Sequence, residues 1–174
     1  YIGDWSSDVC SSDLLKDASS DDIDKALERL NKLNASSEGE QVSVLKERMQ
    51  QNMQNNFGVF RRGDLMEKGI DELSKTREEV ESLYLKDKSA TFNTARIEAL
   101  EMQNLFEVAE ATAITANERK ESRGAHARDD YTERDDENWL KHSIYFAESK
   151  EVSKRDVNYR PKTVQAFQPM VRSY

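Results

Sequence analysis

The densest set of chemically able side chains in this sequence is the run Glu121-Ser122-Arg123-Gly124-Ala125-His126-Ala127-Arg128. It brings a carboxylate, a hydroxyl, two guanidiniums and an imidazole into one short stretch. Two readings follow. In one, Arg123 or Arg128 holds a carboxylate of a ligand or of another domain in a forked pair. In the other, the run closes a helix: the basic side chains ease the negative end of the dipole, and Gly124 supplies a left-handed cap. Spacing alone favours the second.

Other reactive residues are sparser. His126 and His142 are the two histidines. A zinc or iron site needs three or four ligands, and no carboxylate-plus-histidine helix spacing accompanies these two, so no metal site is expected. His142 reads as a strand histidine engaged in a hydrogen bond. Arg134-Asp135-Asp136-Glu137 has too few oxygens in too straight a run for a hard cation and reads as a solvated turn with local ion pairs. Arg61 and Arg62 read as a solvated pair at a helix end. Gly58, Gly63 and Gly69 are spaced wrongly for a pyrophosphate-binding turn and do not follow a strand.

The whole chain is acidic, with net charge −8 and 34% charged residues. It would repel a nucleic-acid backbone, and no basic cluster offsets this, so no nucleic-acid partner is expected. No apolar run approaches the roughly 20 residues that span a bilayer, so no direct membrane insertion is expected. Residues 1–14, YIGDWSSDVCSSDL, lack the charged and apolar regions of a signal peptide. They resemble the translation of a sequencing adapter over Asp4 to Leu14, and this segment is read as an artefact without structure. Cys10, the single cysteine, lies within it. Without it, disulfides and thiol chemistry drop out. Removing its three aspartates brings the charge from −8 to −5. The abrupt junction at Leu15 suggests a chain lacking its preceding part.

The remaining sequence must position the 121–128 run. Six glycines and two prolines encode few turns, which favours long helices. The first helix is expected over 21–34, capped by Ser19 or Ser20, with Ile23, Ala26, Leu27 and Leu30 as its apolar stripe. The second is expected over 42–60, burying Val42, Leu45, Met49, Met53, Phe57 and Phe60. Asp64 would cap a third over 65–84, burying Met66, Ile70, Leu73, Val80 and Tyr84. Arg77 falls on that stripe, where it either pairs with a carboxylate or marks a partly exposed edge. The fourth, over 93–120, is apolar on two sides: Met102, Phe106, Ala109 and Ala113 on one, Ile97, Leu100, Val108 and Ala111 on the other. Such a helix is usually central. Strands are expected over 139–146 and 152–159, joined as a hairpin, before an extended tail containing Pro161 and Pro169. The fold class is mainly α: a three- to four-helix antiparallel bundle over 15–124, then a small β appendage and tail over 125–174.

The run Asn117 to His142, ANERKESRGAHARDDYTERDDENWLKH, closely resembles the segment that closes the helical domain of succinate dehydrogenase and fumarate reductase flavoprotein subunits. The matching pieces are Glu121 to His126, Arg134-Asp135-Asp136, Trp139 and His142. Asn56 to Arg61, Phe92-Asn93-Thr94 and the tail Pro169 to Tyr174 match as well. L-aspartate oxidase shares the Glu-Ser-Arg-Gly turn but not the expected continuation. The resemblance implies a fragment of a larger protein that oxidises succinate to fumarate with covalent FAD and passes electrons to an iron–sulfur subunit and a membrane anchor. Such a complex sits peripherally at the cytoplasmic face of the bacterial inner membrane, or at the mitochondrial matrix face. The FAD-binding and catalytic residues of that family precede the region matched here, so no catalytic, cofactor-binding or metal residue is carried over. The implied role is an inactive support that binds no FAD itself. Glu121, Ser122, Arg123, Gly124, His126 and Arg128 form its candidate docking turn against flavin-binding and capping domains. The alternatives are fumarate reduction in vivo, an L-aspartate oxidase fragment, or a stand-alone helical interaction module.

Overall fold

The computed structural model describes residues 17–167 and residue 170. Residues 1–14, the expected artefact, and most of the family-like tail lie outside them. Helix α1 spans Ser20–Ala35, and the Ser19 side chain caps it by accepting from Asp22 N–H. Helix α2 spans Val42–Phe57, strand β1 Phe60–Arg61, α3 Gly63–Glu81 and α4 Thr94–Glu118. Strand β2 is Ala127–Arg128 and a single turn, α5, Asp136–Trp139. Strands β3, Lys141–Phe146, and β4, Glu151–Asp156, form an antiparallel hairpin.

Helices α2, α3 and α4 pack on one another around Leu45, Met49, Phe57, Met66, Leu73, Met102 and Phe106. The cross-links between α2 and α3 run in opposite senses along the two helices: Arg48 meets Glu79, while Asn52 donates to the Gly69 carbonyl. Gly69 is what lets them approach, since a Cβ there would fall 2.4 Å from the Phe57 ring and 2.7 Å from Asn56 Cβ. Asn93 starts α4 firmly. Its oxygen accepts from Arg96 N–H and its amide donates to the carbonyls of Asp87 and Ser89.

Several expectations need correction. The second helix stops at Phe57 rather than Phe60, because the chain turns extended at Gly58. Phe60 is therefore 74% exposed, and with Arg61 it forms a short parallel pair with Ala127 and Arg128. The third helix ends at Glu81 rather than Tyr84, and the connection behind it buries Leu83 and Leu85. Asp64 is not the cap of α3; Arg62 holds that position. The cap-like contact comes from far along the chain, where Asp130 accepts from Gly63 N–H at 2.9 Å.

The expected stripe of α1 is hardly used: Ile23 and Leu27 are half exposed, Ala26 is exposed and Leu30 is partly buried, while buried Leu33 lies outside that stripe. The helix is tied to α4 mainly by Arg29, which bonds Gln103, Asn104 and the Leu100 carbonyl. The second side of α4 is covered only in part, since Leu100 packs against the core and Ala111 is half-buried. The Met102–Phe106 side is buried, whereas Ile97 is 54% and Val108 64% exposed. Arg77 does pair with a carboxylate, that of buried Glu110. The hairpin forms as expected but starts later, because Trp139 belongs to α5.

Gly69→Ala should destabilise the bundle by about 1–3 kcal/mol, the usual cost of overpacking a tight contact. A lowered denaturation midpoint at unchanged slope checks this.

Candidate functional site

The candidate run lies where α4 ends. Arg119 is the C-cap, and the chain leaves the helix with Glu121 wholly buried, at 0% exposure. A lone buried carboxylate is costly, so it must be saturated with donors. One Glu121 oxygen accepts from Arg119 Nη1 at 2.5 Å and Arg123 Nε at 2.8 Å. The other accepts from Arg123 Nη2 and from the Asp135 backbone N–H, both at 2.9 Å. Burial alone would raise this carboxyl's pKa, but the hydrogen bonds from Arg123, Asp135 and Arg119 override it and hold the pKa below its usual value.

From there the network spreads outward. Arg123 also reaches Asp136, which Arg134 grips from the other side. Arg119 donates to the carbonyls of Trp139 at 2.9 Å and Lys141 at 2.6 Å and sits over the Trp139 ring. Lys154 covers that ring as well. The expected local ion pairs in the 134–137 segment are therefore present, and Asp135 also caps α5 by accepting from Asn138 N–H.

Gly124 is not a helix cap. It sits in a tight turn closed by reciprocal backbone bonds between Arg123 and His126. Its φ of +59 explains the glycine, since no atom lies within 4 Å of where a Cβ would be. The basic residues do ease the helix end, as one reading expected. Arg128, 4% exposed, donates to the Asn117 and Arg119 carbonyls and forks Asp130 at 2.7 and 2.5 Å. With that fork and the Gly63 N–H, Asp130 falls to a pKa of about 2. Ser122 accepts from Arg128 N–H and donates to the Tyr131 carbonyl, both at 2.8 Å.

His126 bridges the turn to the bundle. Its Nδ1 lies 2.7 Å from Arg61 Nη1 and its Nε2 3.1 Å from the Arg119 carbonyl. A guanidinium can only donate, so Nδ1 accepts and Nε2 carries the proton. Burial first, helped by the nearby charges of Arg61, Arg128 and Arg119, outweighs the bond to the Arg119 carbonyl and lowers this imidazole's pKa.

The structure thus gathers all six expected residues, Glu121, Ser122, Arg123, Gly124, His126 and Arg128, into one loop. It also recruits Arg61, Arg119, Asp130, Asp135 and Trp139. Arg61 is not a solvated partner of Arg62: it bonds the Phe57 and Gly58 carbonyls as well as His126, while Arg62 pairs with Asp64. His142 lies in β3 as expected, but its exposed side chain makes no hydrogen bond among the described residues. It lines a cleft of about 350 Å³ with Arg61, Arg119, His126, Lys141 and Ser143, backed by Thr112 and Thr115 of α4. Among the described residues no group of three or more His, Cys, Asp or Glu side chains is placed to hold a metal.

A sequence model of the family described as "Fumarate reductase flavoprotein C-term" matches residues 46–174. A succinate dehydrogenase flavoprotein subunit from Coxiella burnetii is 47% identical over 152 residues, covering 87% of this chain and 26% of that protein. A fumarate reductase flavoprotein subunit from Haemophilus influenzae is 35% identical over 158 residues, covering 91% of this chain and 26% of that protein. Among solved structures, quinol fumarate reductase from E. coli superposes with a TM-score of 0.74 at 31% identity, over 88% of this chain and 27% of that one. The chain therefore spans about a quarter of the length of the curated relatives it matches.

Two measurements check the site. Asp130 has a depressed folded pKa, so its contribution is whole above the unfolded value and disappears as pH falls toward about 2. Unfolding free energy should drop across that window, and Asp130→Asn should flatten the drop. Gly124→Ala should cost about 1 kcal/mol for forcing a side chain into a left-handed turn, read as a lowered melting temperature.

Proposed function

Because the chain belongs to the fumarate reductase flavoprotein C-terminal family, we propose that it is the supporting C-terminal portion of a succinate dehydrogenase flavoprotein subunit. In this reading the larger protein oxidises succinate to fumarate with covalently bound FAD. It passes the electrons to an iron–sulfur subunit and then to quinone at a membrane anchor. The complex is peripheral to the cytoplasmic face of a bacterial inner membrane, and no helix among the described residues is long and apolar enough to cross a membrane.

In this reading FAD is held by the preceding domains. Gly63 opens a helix with its N–H given to Asp130, and Gly69 is wedged against Phe57, so neither contributes to a phosphate-cradling loop. No step of flavin chemistry is therefore derived from this chain. Residues 15–124 and the 125–174 appendage act together as a buttress.

The observation that carries the reading is the uncovered apolar side of α4, where Ile97, Leu105 and Val108 stand in water. Exposed apolar side chains of this kind mark interaction sites, and Ile23 and Leu27 of α1 are half exposed as well. In this reading the flavin-binding and capping domains are what it meets. The docking turn works alongside it. Glu121, Ser122, Arg123, His126 and Arg128 are spent internally, fixing the loop's shape, so exposed Gly124 and Ala125 present its tip to the neighbouring domain. Fumarate reduction is the second reading, supported by the fumarate reductases among the relatives.

Arg123→Glu in an intact relative should lower both bound flavin and succinate oxidation by several-fold, by setting a second carboxylate against buried Glu121. Unchanged flavin content and turnover would dismiss the docking role.

A further inference from the structure

We propose that the cationic cleft beside His126 is a docking site for an acidic polypeptide segment, one of whose carboxylate side chains enters between Arg61 and His142. Although the chain carries 34 acidic against 26 basic residues, no Asp or Glu lines this cleft. Its walls instead bring together Arg61 from β1, Arg119 from the end of α4, His126 from the turn, and Lys141, His142 and Ser143 from β3.

The donors divide into those already used and those still available. Arg119 is committed to Glu121 and to the Trp139 and Lys141 carbonyls, so it contributes positive field rather than a new bond. Arg61 spends Nε on the Phe57 and Gly58 carbonyls and Nη1 on His126. Its Nη2 has no partner among the described residues, and the His142 imidazole has none either. Lys141 pairs with Asp156 at 3.2 Å, but Asp156 is 88% exposed, and a surface pair of that kind is readily exchanged. A carboxylate in the cleft thus finds the free edge of the Arg61 guanidinium, with Lys141 and His142 also among the lining residues.

The end of α4 would ordinarily repel an anion, since a helix terminates in unpaired carbonyls. Here Arg128 already binds the Asn117 and Arg119 carbonyls, so that opposition is largely cancelled. The shape favours a polypeptide over a free metabolite. Small-molecule sites enclose most of their ligand, whereas this cleft lies broadly open to solvent. Val59 and Phe60, both well exposed, flank Arg61 and offer an apolar shoulder to the rest of such a segment. The cleft shares His126 with the docking turn and its back wall with α4, but none of the exposed apolar residues Ile97, Leu105 and Val108 lines it.

The test uses the 174-residue chain and a capped hexaglutamate peptide, followed by NMR. With two histidines in the sequence, the imidazole resonances report the cleft with little ambiguity. The expected result is a saturable shift of the His142 ring and the Arg61 and Lys141 amides, abolished at about 1 M salt, where the screening length is about 3 Å. Hexaglutamine should leave them unmoved. Lys141→Glu with His142→Glu should weaken the peptide by at least about tenfold, through like-charge opposition. Lys141→Gln with His142→Gln, which adds no repulsion, should weaken it by less. The proposal is overturned if hexaglutamate gives no saturable shift, if the charge reversal leaves the affinity unchanged, or if inorganic phosphate at equal charge displaces the peptide as well as free peptide does, which would mark a site for free oxyanions.

Discussion

The architecture beyond α4 depends on one buried carboxylate. Glu121 has no access to water and no choice but to be satisfied by the chain around it. The four donors that satisfy it come from Arg119, Arg123 and the backbone of Asp135, three separate points of the C-terminal segment. Pulling them onto one acid folds a charged, aperiodic stretch that has little apolar surface of its own to bury. An unpaired charge in this position would be strongly unfavourable, which is why the arrangement behaves as a unit rather than as separable contacts.

Order then passes outward from that acid to both neighbours. Through Arg119 it fixes the first residues of the hairpin and stacks the guanidinium on Trp139. Through Arg123 and Asp136 it sets the start of α5. A second strut repeats the logic at the far end of the hairpin, where Lys150, itself at φ +57, reaches buried Glu110, which Arg77 of α3 also grips. Burial opposes the charge on Glu110, and the bonds from Arg77 and Lys150 override it, so its pKa too is lowered. The hairpin is therefore pinned at both ends to the bundle, at one end through Arg119 and Glu121 just beyond α4 and at the other through Glu110 within it. Arg128, Asp130 and the Arg61–His126 contact complete the connection by tying the turn to the starts of β1 and α3.

Much of this was legible in the residues. Helical periodicity located all four long helices to within a few positions, because their buried stripes repeat at the spacing that packing requires. Arg77 on an apolar stripe left two readings open, a carboxylate partner or a partly exposed edge, and the first holds. The 121–128 run stood out by composition, and all six of its singled-out residues do converge. What periodicity could not supply was which stripe finds a cover: Ile97 and Val108 read like core and are in water, and so do Ile23 and Leu27. Nor could it reveal contacts between residues far apart in sequence. Arg61 looked like half of a solvated pair until β1 met β2, and Asp130 capping α3 spans 67 residues. Leu83 and Leu85 escaped notice because a buried connection has no period to follow.

The central claim is that Glu121 holds the turn and hairpin onto the bundle. Hydrogen exchange measured residue by residue on Glu121→Gln, against the unchanged chain, tests it most directly. The account predicts that amides of residues 122–156 lose protection while those of α2 and α3 keep theirs. Equal loss across the molecule, or protection of the hairpin undiminished, would contradict it.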